Sequence, residues 1–227
     1  MHRFTRRPGR LRRRSLGALL GAVTLGLLAG ACGVRAAPPP PPVTFDALTV
    51  MGTPHVTATQ MVAWFSARTS HASGWKVAEW PPTVALRYIE EGAAEHVAGD
   101  VAFVQAVLET GWFRFDDSTV PPSYNNFAGI GATDVNPMPA QFATVQDGIR
   151  AQIQHLRAYA DTTATTCTSP PLHNPCVDPR FDLVSPKGKA PSWKQFGNGN
   201  WATDTDYAAK IWNLYRDLLS YNHVPVE

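Results

Sequence analysis

The chain has 227 residues, of which 20 are basic and 18 are acidic, and its formal net charge is +2. Eight of the basic residues and none of the acidic ones precede Ala37, so the remainder has 12 basic and 18 acidic residues and a formal charge of −6. A mildly acidic domain lacks the basic surface of a nucleic-acid-binding protein, and we expect no nucleic acid among its partners.

Residues 1–36 have the pattern of a bacterial signal peptide. An arginine-rich start precedes the uncharged, largely apolar run Ser15–Ala31, which is marginal for a membrane span of about 20 residues. Ala29–Cys32 resembles a lipobox, in which Cys32 would be lipidated and would be the only link to a membrane. The alternative is soluble secretion after cleavage behind Val34–Ala36. Both alternatives predict an extracellular or cell-envelope protein.

A proline-rich spacer follows at residues 37–44, where Pro38–Pro42 form an unbroken run. Consecutive prolines adopt an extended polyproline helix, which keeps two parts of a chain apart. The rest, residues 45–227, has the length of one domain, and we expect it to be a monomer.

Helical signals recur along this domain. Thr57 and Gln60 have the spacing of a capping box and predict a helix start. Apolar residues at helical spacing predict four more helices. These are Val84–Val97, Asp100–Glu109, Gln146–Ala160 and a last one from Tyr207 to at least Leu218.

The segment Asp116–Gln141 is rich in proline, asparagine and glycine. Such a composition is incompatible with regular helix, and it predicts loops with a small sheet. The sequence therefore indicates a mainly helical protein with one irregular or β lobe.

Two cysteines lie close together after the fourth predicted helix. Cys167 and Cys176 flank a proline-rich loop, and in an oxidising compartment this pattern indicates a disulfide. The alternative is a zinc site that also uses His173, but no fourth ligand stands at the spacing of a metal site.

Glu109 falls in the last turn of its predicted helix, before Gly111. The C-terminal end of a helix carries partial negative charge, and Trp112 and Phe113 provide apolar cover. Both effects disfavour ionisation and raise the pKa of the carboxyl, as a general acid requires. The alternative is an ordinary solvated glutamate at a helix end.

The segment Ser123–Gly131 follows Glu109 across the break between helix and irregular lobe. Its amide side chains can bind an acetamido group, and its aromatic rings can stack on sugar faces. We therefore predict sugar contacts for Tyr124, Asn125, Asn126, Phe127 and, beside the acid, Trp112.

These motifs together resemble the glucosaminidase family of peptidoglycan hydrolases, glycoside hydrolase family 73, which has a lysozyme-like fold. The resemblance runs in order from about Thr57 to the end of the chain. It is carried by Gly99–Gln105, Leu108–Trp112, Asn125–Ile130, Gly148–Leu156, Asp178–Phe181 and the late Trp201, Ala202 and Tyr207.

The resemblance implies a helical lobe and a small lobe that flank a substrate cleft, and cleavage of the β-1,4 bond after N-acetylglucosamine in glycan strands. It also implies that Glu109 is the general acid and that Tyr207 faces the cleft and supports the reaction, although core packing is the alternative for Tyr207. His155 and Trp201 are similar to the family but are expected to be structural. No cofactor or metal is implied.

A second carboxylate is harder to find, because no glutamate lies between Glu109 and Glu227. Retaining glycosidases hold two carboxyls about 5 Å apart, and inverting ones about 6.5–9.5 Å apart. Many members of the family carry a further glutamate in the irregular lobe. Asp116, Asp117 and Asp134 are the carboxylates available here, and Asp134 lies nearest to where such a residue would fall. The alternatives are attack by the acetamido oxygen of the substrate or by a loosely held water.

Two other functions remain open at this point. One is a lytic transglycosylase or muramidase on the same fold, which would also use Glu109. The other is a lipoprotein that binds peptidoglycan without cutting it, which the missing second carboxylate would explain.

Overall fold

Five α-helices form the framework of the part of the chain that the structure describes. The structure is a computed structural model, and it describes residues 40–68, 74–116, 118–132, 138–167 and 172–227. The predicted leader with Cys32, the first residues of the spacer, Asp117 and Asp134 lie outside these ranges. Across them, no helix is long and apolar enough to span a membrane.

The helices follow the predicted order. They are α1 (Ala58–Arg68), α2 (Pro81–Glu95), α3 (Gly99–Glu109), α4 (Val145–Ala160) and α5 (Tyr207–Tyr221). The prediction of a mainly helical fold is therefore confirmed.

Local capping explains where the helices begin and end. Gln60 N–H donates to Thr57 Oγ1 at 3.3 Å and Thr57 N–H donates to Gln60 Oε1 at 2.9 Å, so the predicted capping box is confirmed. Helix α2 begins three residues before the predicted Val84, because Pro81 suits a first helical turn. It ends two residues before the predicted Val97, because His96 adopts a left-handed φ of 58°.

Helix α3 lies at the centre of the domain. Every residue from Gly99 to Val107 is buried, which accounts for its apolar character on all sides. Helices α2 and α5 pack against it, and rings from Tyr88, Phe103 and Phe113 interlock with centroid separations of 5.5–5.6 Å. The glutamate that ends α3 therefore stands on a helix that is buried along most of its length.

The described part of the irregular lobe consists of turns, with one short 3₁₀ turn at Pro122–Tyr124 and no multi-residue strand. The small sheet expected for this segment is thus absent from its described residues. The side chain of Asn126 provides the backbone of this loop with hydrogen bonds instead. It donates to the carbonyls of Ile130 and Ala140 and accepts from the Ile130 N–H. An amide that bonds in this way competes with a strand ladder.

The predicted disulfide between Cys167 and Cys176 is confirmed, with the two Cα atoms 5.6 Å apart. The loop that it closes is tied to the helices by Glu95. This buried carboxylate accepts from the backbone N–H of Asn174 at 2.9 Å and from Arg157 Nη1 at 2.8 Å. The disulfide therefore pins a loop that the helical core also holds.

Candidate active site

Glu109 ends helix α3 at the wall of a cleft of about 470 Å³. Phe127 and Gly129 of the irregular lobe also line this cleft, as does Trp201. Gly129 has a left-handed φ of 62°, and a β-carbon there would lie 3.8 Å from Glu109 Oε2. The carboxyl thus faces backbone across a narrow opening, into which a sugar ring can bring its glycosidic oxygen.

Tyr207 is the hydrogen-bond partner of this acid. The first residue of α5, it is buried, and its hydroxyl donates to Glu109 Oε1. The same hydroxyl accepts from Gln105 Nε2 at 2.9 Å, one turn earlier on α3. The structure therefore brings together Glu109 and Tyr207, which lie 98 residues apart in sequence.

Gln105 belongs to a buried chain of hydrogen bonds that runs back through the core. Gln152 on α4 donates from Nε2 to Gln105 Oε1 at 2.8 Å, and the Tyr88 hydroxyl of α2 donates to Gln152 Oε1 at 2.7 Å. An ionised carboxylate only accepts hydrogen bonds, so the Tyr207 oxygen must accept from an N–H, and this fixes the orientation of both amides. Three helices thus orient one hydroxyl toward Glu109.

Burial raises the pKa of Glu109 above its ordinary value. Hydrogen bonds from Tyr207 and from the Trp201 side chain favour the ionised form and oppose that rise without cancelling it. Burial and the charge of Glu109 raise the pKa of the Tyr207 hydroxyl as well, so that it remains a donor. A carboxyl that keeps its proton to higher pH suits protonation of a leaving oxygen.

Trp201 lies in the cleft wall, whereas the sequence assigned it a structural role. It has a left-handed φ of 68° and follows a turn at Gly197–Gly199 in which every φ is positive. The backbone N–H of Trp201 donates to the Tyr159 hydroxyl at 3.3 Å, which helps to place the backbone that carries the indole. The glycine-rich turn before it is the one sequence signal that could have indicated an unusual placement.

His155 supports this wall from behind. Its Nδ1 lies 2.7 Å from the buried Asp178 carboxylate, and its ring packs edge-on against Trp201 at 5.1 Å. The structural role expected for His155 stays a prediction, since this residue also lines a neighbouring cavity.

Most of the predicted sugar contacts hold the loop together. Asn126 and Phe127 line the cleft, but both are buried, and the amide of Asn126 is used by the loop backbone. Asn125 donates to the Phe142 carbonyl at 3.0 Å, and Tyr124 lies outside the cleft lining. An asparagine in a tight turn is within reach of its own backbone, which competes with any ligand.

The loop can approach the helical lobe because α4 has a glycine at the crossing. A β-carbon at Gly148 would lie 1.8 Å from the Asn125 carbonyl oxygen. No residue with a side chain fits this contact, so Gly148 lets the loop rest on α4 and face Glu109.

The structure places Trp112 away from the other predicted sugar contacts. Residues 111–113 all have positive φ, and this turn folds the indole back against Trp64 and Phe65 at centroid distances of 5.2 and 5.6 Å. Trp112 does not line the cleft that contains Glu109. Apolar neighbours on α1 attract the ring, and they were not visible from the local sequence.

Glu109 is the one carboxylate among the described residues that line the cleft. Asp116 lies on the surface, where Lys76 Nζ bonds its carboxylate at 2.7 Å and lowers its pKa. Asp117 and Asp134 lie outside the described residues. The described geometry therefore contains an acid and its tyrosine, but no second carboxylate.

A helical fold whose described cleft lining contains one glutamate of raised pKa is compatible with glycoside hydrolysis. Residues 85–220 match the glucosaminidase family, described as mannosyl-glycoprotein endo-beta-N-acetylglucosaminidase. The match covers more than half of the chain, and the chain belongs to this family. It confirms the resemblance, and with it the prediction of a glycosidase.

The chain is also similar to an uncharacterized protein of Borreliella burgdorferi. The two are 38% identical over 141 residues, which span 62% of this chain and 64% of the relative. The match thus leaves about a third of each protein unpaired, and it adds no activity to the family assignment.

Proposed function

We propose that the protein is an exported peptidoglycan hydrolase, an endo-β-N-acetylglucosaminidase that cleaves the β-1,4 bond after N-acetylglucosamine in glycan strands. The family assignment supports the glycosidic bond that is cut. The observation that carries the proposal is Glu109, held by Tyr207 at the wall of a cleft where burial raises its pKa.

In this proposal Glu109 donates its proton to the glycosidic oxygen as the bond to the anomeric carbon breaks. Tyr207 and Trp201 donate hydrogen bonds to the carboxylate that is left, and so stabilise the charge that develops on it. The same carboxylate then accepts a proton from the water that completes hydrolysis. Glu109 thus acts first as a general acid toward the glycosidic oxygen and then as a general base toward water.

The acetamido oxygen of the substrate serves as nucleophile in the pathway that we favour. It bonds to the anomeric carbon while the glycosidic bond breaks, and water later opens the resulting ring with overall retention. The absence of a second carboxylate from the described lining supports this pathway. A nucleophilic or basic Asp134 is the alternative, and Asp134→Asn distinguishes them, because only the alternative expects a large loss of activity.

The leader and the spacer support action outside the cytoplasm. We propose that residues 1–36 direct export, that residues 37–44 separate the catalytic domain, residues 45–227, from the membrane, and that Cys32 carries a lipid anchor. Mass spectrometry of the mature N-terminus tests this proposal, because a lipidated Cys32 and a free N-terminus near residue 37 differ in mass.

Digestion of purified cell walls tests the activity. We expect wild-type protein to release fragments with N-acetylglucosamine at the new reducing ends and Glu109→Gln to release almost none. New ends at N-acetylmuramic acid would contradict the bond assignment. Full digestion by Glu109→Gln would contradict the assignment of the acid, and no digestion by wild type would favour a binding protein.

A lytic transglycosylase is the second candidate, since one acid in the cleft also suits an enzyme whose substrate supplies the attacking hydroxyl. That reaction leaves an anhydro-muramic end and forms no reducing end. Product analysis of the same digest therefore separates the two candidates.

A further inference from the structure

A second cavity of about 220 Å³ shares lining residues with the cleft. Both spaces are lined by Ala128, Gly129, Ala132 and Trp201, so the second continues the first. A polymeric substrate that places one sugar beside Glu109 extends into such a neighbouring space. What lines this cavity therefore bears on which substrate is accepted.

Two cations line the second cavity, Arg180 and Lys189, and none of its described lining residues is acidic. The described ranges contain twelve lysines and arginines, and eight of them form ion pairs with carboxylates. Of the other four, Lys187 donates to two carbonyls and Arg216 to Asn213. The two cations whose charged groups have no hydrogen-bonded partner in the described residues thus share one cavity.

Neither cation forms an ion pair with a carboxylate among the described residues, and each has one contact that bears on its position. Lys189 Nζ lies over the Tyr159 ring at 4.7 Å from the centroid, and that tyrosine also bonds Trp201. The Arg180 N–H donates to Asp178 Oδ1 at 2.8 Å, which fixes the backbone that carries the guanidinium. Both residues are half-buried, and a partly desolvated cation gains most from an anionic ligand.

We propose that this cavity is a subsite for a carboxylate attached to an N-acetylmuramic acid residue next to the bond that is cut. The guanidinium of Arg180 can bind a carboxylate through two parallel hydrogen bonds, and Lys189 adds a second positive charge. The subsite makes the enzyme prefer acidic glycan strands to neutral oligomers of N-acetylglucosamine. This inference rests on the proposed function, because it names the substrate of the same cleft.

Two sources could supply the carboxylate, namely the lactyl group of a peptide-free strand and the acidic stem peptide. We would therefore measure binding to three probes: strands with stem peptides, strands stripped of peptides by an amidase, and neutral N-acetylglucosamine oligomers. Using Glu109→Gln as the parent protein prevents cleavage during the measurement. The probe that loses affinity in the charge variants identifies the source.

The test compares Arg180→Gln and Lys189→Gln, singly and combined, with Arg216→Gln as the matched control. Arg216 is exposed on α5 and does not line the cavity, so its variant removes the same charge elsewhere. We expect the double variant to raise Kd for an acidic strand about tenfold and to weaken its salt dependence. Kd for neutral oligomers stays unchanged, and Arg180→Lys retains part of the affinity.

Equal losses on acidic and neutral probes, or no loss on either acidic probe, would overturn the subsite. Thermal unfolding of each variant shows whether a loss of affinity comes from a loss of the fold. If Arg180→Gln is unstable, the affinity of Arg180→Lys for the acidic probes is measured instead. Failure of the proposed function would look different: wild-type protein would not cut the walls, while charge-dependent binding would persist.

Discussion

The two ends of helix α3 each present a carboxylate to a tyrosine of α5, and they use it differently. At the start of the helix, Asp100 accepts from the Tyr215 hydroxyl at 2.8 Å. At its end, Glu109 accepts from the Tyr207 hydroxyl. The same two helices thus hold two acid–tyrosine pairs, of which one is fully buried and the other opens into the cleft.

The helix backbone explains the difference. Asp100 lies among the free N–H groups of a helix start and also accepts from the backbone of His55 at 2.7 Å, Val56 at 3.3 Å and Val101 at 2.9 Å. Glu109 lies among free carbonyls, which offer a carboxylate no donor. Burial raises the pKa of both acids, but several backbone donors oppose the rise at Asp100, whereas side chains alone oppose it at Glu109.

Backbone donors can satisfy a buried acid completely, whereas an acid with a lone pair toward a cleft stays accessible to a ligand. Asp100 joins the N-terminal segment to the core, and nothing remains for a ligand to bind. Glu109 retains one oxygen toward the cleft. Substitutions at the two ends should therefore separate stability from activity.

The largest effect is expected for Glu109→Gln. The amide cannot donate a proton to the leaving oxygen, so kcat should fall about 10²- to 10⁴-fold. Because the pKa of Glu109 is raised, the native state binds this proton more tightly than the unfolded state does. The free energy of unfolding of the wild type therefore falls as the pH rises through and above the ordinary range of glutamate pKa values. The substitution removes this pH dependence. Wall digestion and unfolding curves at several pH values measure the two effects. A variant less stable than wild type at pH 7 would contradict the comparison.

Asp100→Ala should have the opposite effect, with a loss of stability and little change in activity. It leaves the Tyr215 hydroxyl and three backbone N–H groups without their buried acceptor, and we expect a loss of about 3 kcal/mol in the free energy of unfolding. Denaturant unfolding gives the loss, and kcat measured well below the melting temperature should stay within about twofold, as is normal for a substitution that leaves the active-site contacts intact. A stable but inactive variant would show that both ends serve the reaction.

Tyr207→Phe and Tyr215→Phe form a matched pair, because each removes one hydroxyl from an acid. Loss of the Tyr207 donor destabilises the ionised carboxylate, so the pKa of Glu109 rises and the alkaline limb of the kcat profile moves to higher pH. We expect kcat itself to fall about 10- to 100-fold, since a hydrogen bond to a charged group is lost. In Tyr215→Phe the pH profile should not move. A downward shift in Tyr207→Phe would contradict the proposed direction of the bond.

Gln105→Met tests the buried chain behind Tyr207. Without the amide donor the Tyr207 hydroxyl becomes a weaker acid and a weaker donor, because this bond lowers its pKa. The alkaline limb should shift in the same direction as in Tyr207→Phe but less far, with kcat about 3- to 10-fold lower and KM unchanged. Since Gln105 acts through Tyr207, the two substitutions should be non-additive in the double variant. Additive losses would identify a purely structural glutamine.

The smallest effect is expected for Asp116→Asn. Its carboxylate is exposed and bonded to Lys76, outside the cleft lining. Activity should change less than about twofold, as is usual when an exposed ion pair is removed. A loss as large as that of Glu109→Gln would make Asp116 the missing second carboxylate and would require the loop to close over the cleft.

Much of the fold could be read from local pattern. Helical spacing and caps predicted all five helices, with errors at the ends of α2 that came from Pro81 and His96. The resemblance to the family implied separate roles for Glu109 and Tyr207, but it gave no indication of the hydrogen bond between them. The helix predictions succeed because a helix depends on residues up to four positions apart and a cap on the next three.

The sequence by itself determined which residue ends the buried helix and therefore where an acid of raised pKa would stand. Only the tertiary structure decided the surroundings of this acid. Trp201 lines the cleft, Trp112 packs against α1, and the side-chain amide of Asn126 bonds the backbone of its own loop. These placements depend on contacts between elements tens of residues apart in the chain. Packing selects those contacts, and no local rule anticipates that Trp112 packs against apolar neighbours while Trp201 lies beside the acid.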